Sequence, residues 1–179
     1  GQWVAGPDPM KALTSGAESA RPAALLGEPG DPTLRAIEPV DEASRRMTDI
    51  ALIDVFFPVL HGPYGEDGTV QGLMELADVP YVGAGVTGSA VGMDKVIFKA
   101  VMQAHGIPVL PYELVLRSEW EADREQVLDR LAGALPFPVF VKPANLGSSV
   151  GVSKARDRQG LAAALDDAAR YDRRLLVEK

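Results

Sequence analysis

The sequence predicts a mixed fold, α/β and α+β in character, and three observations carry that expectation. The first is Val55-Phe56-Phe57-Pro58-Val59-Leu60, a nearly continuous apolar run that empties into His61-Gly62-Pro63-Tyr64-Gly65-Glu66-Asp67-Gly68 and then into a helical pattern. Runs of this kind belong to strands buried on both faces of a parallel sheet, and the loop beyond such a strand is where open α/β sheets place their ligands. The second is the order of patterns after residue 109: strand, helix, strand, glycine-rich flap, strand, helix, strand. The third is composition, because 179 residues that are 46% hydrophobic and 24% charged suffice for one soluble domain or two small ones with a core.

In chain order, residues 1–48 are punctuated by Pro7, Pro9, Pro22, Pro29, Pro32 and Pro39, with only short apolar pieces such as Trp3-Val4 and Leu25-Leu26. We expect short strands and loops there, then a strand from near Asp54 to Leu60. Val70, Leu73, Met74 and Ala77 recur at helical spacing and mark a helix ending before Pro80. At its mouth His61, Glu66 and Asp67 gather three ionisable groups. They either line a site where helix N–H groups hold a substrate carboxylate, or form a solvated loop with Asp67 as the cap. Gly83-Ala84-Gly85-Val86-Thr87-Gly88 fits the G-x-G-x-x-G pattern. No Asp or Glu between Asp94 and Glu113 is present to hold a ribose, and the preceding strand is very short, so we read a tight turn rather than a dinucleotide site.

Asp94 is the expected N-cap of a helix running to His105, with Gly106 as its C′ residue and Ile97, Val101 and Ala104 as an inward stripe. Lys95 and Lys99 share a face of that helix, where like charges are ordinarily solvated unless an anion sits near them. His105 complements the helix dipole. A strand over 109–116 precedes Ser118-Glu119-Trp120-Glu121, a capping box with Ser118 as N-cap, and a helix through Leu128, Leu131 and Leu135. Pro136-Phe137-Pro138 stops that helix. Next comes Val139-Phe140-Val141-Lys142-Pro143-Ala144-Asn145-Leu146-Gly147-Ser148-Ser149-Val150-Gly151-Val152, an apolar strand with one lysine, a small-residue loop and a second short strand. An unpaired charge inside a sheet costs several kcal/mol, roughly, so the Lys142 ammonium must be paired or solvated. A phosphate under a flap of glycine and serine donors would pair it; a plain hairpin whose lysine snorkels to the edge would solvate it. Asp157 then begins a helix with Leu161, Leu165 and Ala168 facing inward, and Leu175-Leu176-Val177 forms a last strand ending in Glu178-Lys179.

Net charge −7 and a pI near 4.8 argue against a nucleic-acid or anionic-membrane surface, although a small anionic ligand needs only a few local cations. The absence of cysteine excludes disulfides, thiolate chemistry and cysteine metal sites, and two well-separated histidines make a histidine zinc site a poor fit. No apolar run reaches membrane-spanning length and the N-terminus shows no export pattern, so a cytoplasmic location is expected.

Four separated stretches converge on one family. Leu60-His61-Gly62, Gly65-Glu66-Asp67-Gly68 with Gln71-Gly72, Met93-Asp94-Lys95, and Val141-Lys142-Pro143 with Gly147-Ser148-Ser149-Val150-Gly151-Val152 closely resemble the D-alanine-D-alanine ligases of bacterial cell-wall synthesis. The resemblance covers about residues 50–179, with 1–48 in the family's variable region. It implies the ATP-grasp fold, in which two α+β subdomains close on ATP behind a Rossmann-like N-terminal domain. Residues 1–92 would be part of that N-terminal domain, and 93–179 the first ATP-grasp subdomain, truncated before the second.

The implied reaction is ATP-dependent joining of two D-alanines through an acyl phosphate, for peptidoglycan, with catalysis mainly by positioning and charge stabilisation. Carried over position by position, Lys95 and Lys142 look like the lysines that hold ATP phosphates, and Glu178 and Lys179 like the hinge beside the adenine. Gly147, Ser148, Ser149 and Gly151 look like the flap, with Ser148 ordering the substrate end of the active site. His61 and Glu66 look like residues lining the D-alanine pocket. On this reading Lys95 is functional and Lys99 remains solvated. The flap is not a Walker A loop, because no G-K-[ST] closes it. Mg2+, or Mn2+ in its place, is implied with its ligands outside this chain, since no pair of acids here sits in a suitable context. The chain is therefore expected to be an internal, by itself inactive piece of a ligase that is homodimeric at full length and takes D-alanine and ATP. A D-alanine-D-lactate ligase and a non-catalytic nucleotide-binding module are the alternative readings.

Overall fold

A computed structural model describes residues 4–5 and 21–179. Trp3, Pro7 and Pro9 lie outside the described residues. The chain divides into two units, Gly1–Pro58 with Gln71–Gly83, and Val59–Val70 with Ala84–Lys179.

In the first unit, β1 (Val4–Ala5), β2 (Arg21–Leu25), β3 (Thr33–Pro39) and β4 (Arg45–Leu52) form an antiparallel sheet in that order. The β2–β3 connection is held by Asp31, which accepts from Thr33 N–H at 3.1 Å and from Arg35 at 2.6 Å. The Arg35 bond, then that from Thr33, holds the Asp31 carboxyl down at about 2. Asp41 closes the next hairpin by accepting from Ala43 and Ser44 N–H. β4 has no clean alternation in sequence and is largely exposed, which is why hydrophobic patterning passes over it.

The expected strand from Asp54 to Leu60 is not formed. Only an isolated parallel bridge, Phe56 to Tyr81, is present, with Phe56 N–H bonded to Pro80 O and Val82 N–H to Phe56 O, both at 2.9 Å. Pro58 has no N–H to extend the ladder. Val55, Phe57 and Val59 are exposed. The helix beyond is as expected: α1 (Thr69–Leu76) buries Val70 and Met74, with Ala77 buried just after it. Asp78, at φ +52°, turns the chain so that Val79 N–H reaches Met74 O at 3.1 Å, which stops the helix before Pro80.

In the second unit, the glycine pattern at 83–88 is not a bare turn. Gly85 is the N-cap of α2 (Val86–Met93), a helix invisible to periodicity because none of its residues is buried. Asp94 caps α3 (Lys95–Ala104), accepting from Val96 N–H at 3.1 Å and Ile97 N–H at 3.0 Å. His105 is its C-cap and Gly106, at φ +71°, turns the chain out. The expected inward stripe is absent, since α3 buries none of its residues and Ile97 is exposed.

The second sheet is antiparallel with order β5 (Tyr112–Leu116), β8 (Arg174–Glu178), β6 (Val139–Pro143), β7 (Ser153–Ala155). β5 is shorter than the stretch 109–116 because Pro111 has no N–H to donate to a ladder. Opposed residues point to one side, so the period of two assigns each strand two roles. Val115, Val177, Leu175, Val139, Val141 and Ala155 share the face packed by α4 (Arg117–Ala122), α5 (Arg124–Ala134) and α6 (Arg158–Ala169), through Trp120, Leu131, Leu161 and Leu165. Tyr112, Glu178, Leu176, Phe140 and Lys142 share the other face.

The capping box is displaced from Ser118. α4 begins two residues earlier than that box predicts, with Leu116 as N-cap and the Glu119 carboxylate accepting Leu116 N–H at 3.1 Å. Asp123 then interrupts the expected single helix and caps α5 through Gln126 N–H at 3.0 Å. Trp120, buried in the core, donates from its indole to Asp166 at 2.9 Å, and Arg124 lies over its ring. Asp157 caps α6 through Gly160 N–H at 2.8 Å, as expected. Leu165 is fully buried at the centre of this core, so Leu165→Ala should cost about 2–5 kcal/mol by urea unfolding, the range for truncating a buried leucine.

Candidate functional site

The β6–β8 register pairs Phe140 with Glu178 and Lys142 with Leu176, which makes Lys142 and Glu178 diagonal neighbours on the face away from the helical core. A glutamate closing a buried apolar strand needs compensation, and Glu178, 6% exposed, receives it twice. Lys142 Nζ meets Oε1 at 2.5 Å, and Lys99 Nζ, reaching from α3, meets Oε2 at 2.6 Å. Burial pushes the Glu178 carboxyl up, but the hydrogen bonds from Lys142 and Lys99 outweigh it and hold it below its ordinary value.

Lys99 is therefore not the solvated residue that its helix face suggests. Its ammonium also reaches Leu110 O at 3.5 Å and lies 5.3 Å from the Tyr112 ring centre. Lys95, one helical turn earlier, is half-buried. Its Nζ donates to Leu146 O and, at 3.4 Å, to Pro143 O, while its N–H donates to Ala144 O at 3.0 Å. Desolvation first, and then the charge of Lys142, lowers its pKa. Two ammonium groups thus bind one buried carboxylate, and a third, on Lys95, stands close enough to feel the charges of Lys142 and Glu178.

Asp94 organises the approach to this cluster. Besides capping α3, its carboxylate accepts from Asn145 Nδ2 at 3.2 Å and from Arg174, and Asn145 N–H donates to Asp172 at 2.7 Å. Helix α3, the end of β6 and the start of β8 are therefore tied at one point.

The flap follows Leu146. Ser148 at φ +53° and Ser149 at φ +58° are both left-handed, a conformation costing about 1–3 kcal/mol for each non-glycine residue. Val150 N–H to Gly147 O and Val152 N–H to Ser149 O, each 3.3 Å, close the turn. Gly151, at φ +68°, admits no side chain, since a Cβ there would lie 2.7 Å from the Tyr171 ring and 2.8 Å from Pro143. The N–H groups of Ser148, Ser149 and Gly151, and both serine hydroxyls, have no hydrogen-bond partner among the described residues.

The residues before α1 divide between the two readings. Asp67 fixes the turn into α1, accepting from Tyr64 N–H at 2.9 Å and from the N–H of Thr69, the first helical residue, at 3.0 Å. Burial opposes its ionisation, but these bonds prevail and its pKa falls. Glu66 instead accepts Gly62 N–H at 2.5 Å and lies beside the flap, 3.8 Å from where a Cβ on Gly147 would stand. His61 is exposed, and its side chain has no polar partner among the described residues. Lys179 is also exposed and is not drawn into the cluster: its Nζ donates to Pro136 O at 3.1 Å.

Sequence reading missed Lys99, Arg174 and Asn145. A signal for Lys99 was present, because a glutamate after Leu175-Leu176-Val177 demands a cation as Lys142 demands an anion. Among the described residues no three His, Cys, Asp or Glu side chains gather to hold a metal, and no helix is long and apolar enough to cross a membrane.

Residues 1–84 match the family model described as D-ala D-ala ligase N-terminus, and residues 101–179 that described as D-ala D-ala ligase C-terminus. A D-alanine-D-alanine ligase from Heliobacterium modesticaldum is 57% identical over 149 residues, covering 83% of this chain and 40% of the relative. One from Natranaerobius thermophilus is 42% identical over 181 residues, covering 100% of this chain and 48% of the relative. Among solved structures, the VanG D-Ala:D-Ser ligase from Enterococcus faecalis superposes with a TM-score of 0.81 at 30% identity, over 100% of this chain and 50% of that one. The D-alanine-D-alanine ligase from Coxiella burnetii gives 0.69 at 36% identity, over 96% of this chain and 46% of that one.

The sheet, flap and structural neighbours define a mixed α/β protein of the ATP-grasp class. Within that class, the chain belongs to the D-alanine-D-alanine ligase family. It spans about half the length of the relatives it matches.

The two lysine contacts give Glu178 a measurable signature. Because its carboxyl titrates below the ordinary value of about 4.5, this pairing stabilises the fold above that pH and is lost as pH falls through the lower folded value. Glu178→Gln should be less stable near neutral pH and lose less on acidification, measured by urea unfolding from about pH 7 to about pH 3. Parallel curves for the two proteins would show that the carboxylate contributes nothing to acid sensitivity.

Proposed function

We propose that these residues form the nucleotide-binding part of a ligase that joins two D-alanines at the expense of ATP, for peptidoglycan. The observation that supports this most is the surplus of ammonium groups over carboxylate at Lys95, Lys99, Lys142 and Glu178, beside a flap with unbonded N–H donors. Half-buried positive charge without a matching anion is unfavourable, and a polyphosphate has the charge and oxygen count to balance it. ATP transfers its γ-phosphoryl group to one D-alanine carboxylate and leaves as ADP; the amine of the second D-alanine then attacks the carbonyl carbon of the acyl phosphate, forming the peptide bond and releasing phosphate and a proton.

In this reading Lys142 presents its ammonium to the phosphates from the sheet face, and Lys95 presents its own from the start of α3. Ser148, Ser149 and the backbone of Gly147 and Gly151 cover the phosphates, with Ser148 ordering the substrate end. Glu178 and Lys179 lie at the hinge beside the adenine, where backbone groups act as well as side chains. Glu66 and His61 line the D-alanine pocket. In this reading these residues bind and position, and the ligands of Mg2+, or of Mn2+ in its place, come from other residues of the ligase. We place residues 93–179 in the first ATP-grasp subdomain and residues 1–92 in the domain that precedes it. A cytoplasmic homodimer completes the proposal on the strength of the family membership.

Lys142→Ala in the full-length ligase should weaken ATP binding about tenfold or more by isothermal titration. Ser148→Ala should lower kcat more than it weakens ATP binding. Unchanged nucleotide affinity in the first variant would remove Lys142 from the site, and equal losses in the second would remove Ser148 from its role. Because one structural neighbour is named a D-Ala:D-Ser ligase, the choice of second substrate is tested by ATP-dependent phosphate release with D-alanine alone, or with D-serine or D-lactate added.

A further inference from the structure

We propose that Lys99 is a positioning residue for the phosphate site: by occupying one oxygen of Glu178 it leaves Lys142 held by the other oxygen alone, with its ammonium free to meet a phosphate. This rests on the nucleotide reading above, which counts the charge of Lys99 but gives that residue no task of its own.

Lys99 is built as a fixed charge rather than as a ligand. Its side chain is 13% exposed, and its ammonium is enclosed by the Glu178 carboxylate at 2.6 Å, the Leu110 carbonyl at 3.5 Å and the Tyr112 ring at 5.3 Å. Lys142 is the more open member of the pair at 26% exposure, and among the described residues Glu178 Oε1 is its one hydrogen-bond acceptor. An ammonium has three N–H donors, so two remain for a visitor.

A purely structural pair needs one cation for one anion. Glu178 has two, on different elements, and its two oxygens are shared one to each. Remove the Lys99 charge and the buried carboxylate has only Lys142 to neutralise it. Both oxygens then compete for that ammonium, and the charge available to an incoming anion falls by one unit. Lys99 also lies one helical turn after Lys95, so α3 carries a group that reaches the carbonyls of Pro143 and Leu146 ahead of the flap and a group that steadies the sheet lysine. With α3 pinned at Asp94 by Arg174 and Asn145, the distance from Lys99 to Glu178 is set by the fold.

The test uses the full-length ligase with Lys99→Met, which keeps the stem and removes the charge, and Lys99→Arg, which keeps the charge. We expect Lys99→Met to raise KM for ATP about tenfold while KM for D-alanine stays within about twofold, and Lys99→Arg to restore most of the loss. In a Lys142→Ala background, Lys99→Met should add little, because its effect runs through Lys142. Should Lys99→Met fail to fold by thermal melting, Lys99→Gln, neutral but still a hydrogen-bond donor, takes its place. Equal rises in both KM values, full additivity with Lys142→Ala, or a lowered Tm with unchanged KM for ATP would each overturn the proposal. If Lys142→Ala itself leaves ATP affinity untouched, the nucleotide reading fails; if it weakens ATP and the Lys99 variants do not, this inference fails alone.

Discussion

A carboxylate at the end of a buried apolar run is the constraint around which the second unit is arranged. Glu178 follows Leu175, Leu176 and Val177, all without exposed surface, and its charge is admissible there only because two ammonium groups converge on it. One comes from the adjacent strand and one from α3. Meeting that demand fixes where α3 lies against the sheet, which in turn sets Lys95 against the carbonyls of Pro143 and Leu146. The polar cluster is thus a consequence of satisfying a buried acid, and it carries more ammonium groups than carboxylates.

The sheet separates two tasks by alternation. Val139 and Val141 turn toward α4, α5 and α6, while Phe140 and Lys142 on the same strand turn the other way. Hydrophobic burial on the first face supplies the stability against which the strained flap and the half-buried ammonium groups are tolerated. Ser148 and Ser149 are held left-handed next to Gly151, a position that Tyr171 and Pro143 close to any side chain. The flap is therefore closed by its own backbone bonds, with its neighbours restricting it at Gly151.

Much of this was legible because it follows from local rules. Asp94 and Asp157 as caps, Gly106 as the turn after α3, and the requirement that the Lys142 ammonium be paired or solvated all come from neighbouring residues and their chemistry, whereas its partner Glu178 is 36 residues away. What escaped was settled by distant partners or by exposure. Lys99 looked like a surface lysine because its partner lies at the far end of the sequence. Residues 55–60 looked like a buried strand because an apolar run does not say whether neighbours exist to pair with it, and here only Phe56 finds one. α2 and β4 were missed for the opposite reason: with little burial, they carry little period. Local grammar also misplaced the α4 cap, since Ser118 satisfied the pattern while Glu119 made the bond.

The two-faced sheet also bears on how such a sequence can change. Residues such as Leu131, Leu161 and Leu165 meet only the helical layer and the strand faces turned toward it. Volume-conserving exchanges among them can raise or lower stability without displacing Lys142 or Glu178. Drift on that side is therefore decoupled from the polar face, so the same lysine and glutamate arrangement can be carried on cores of quite different thermal tolerance.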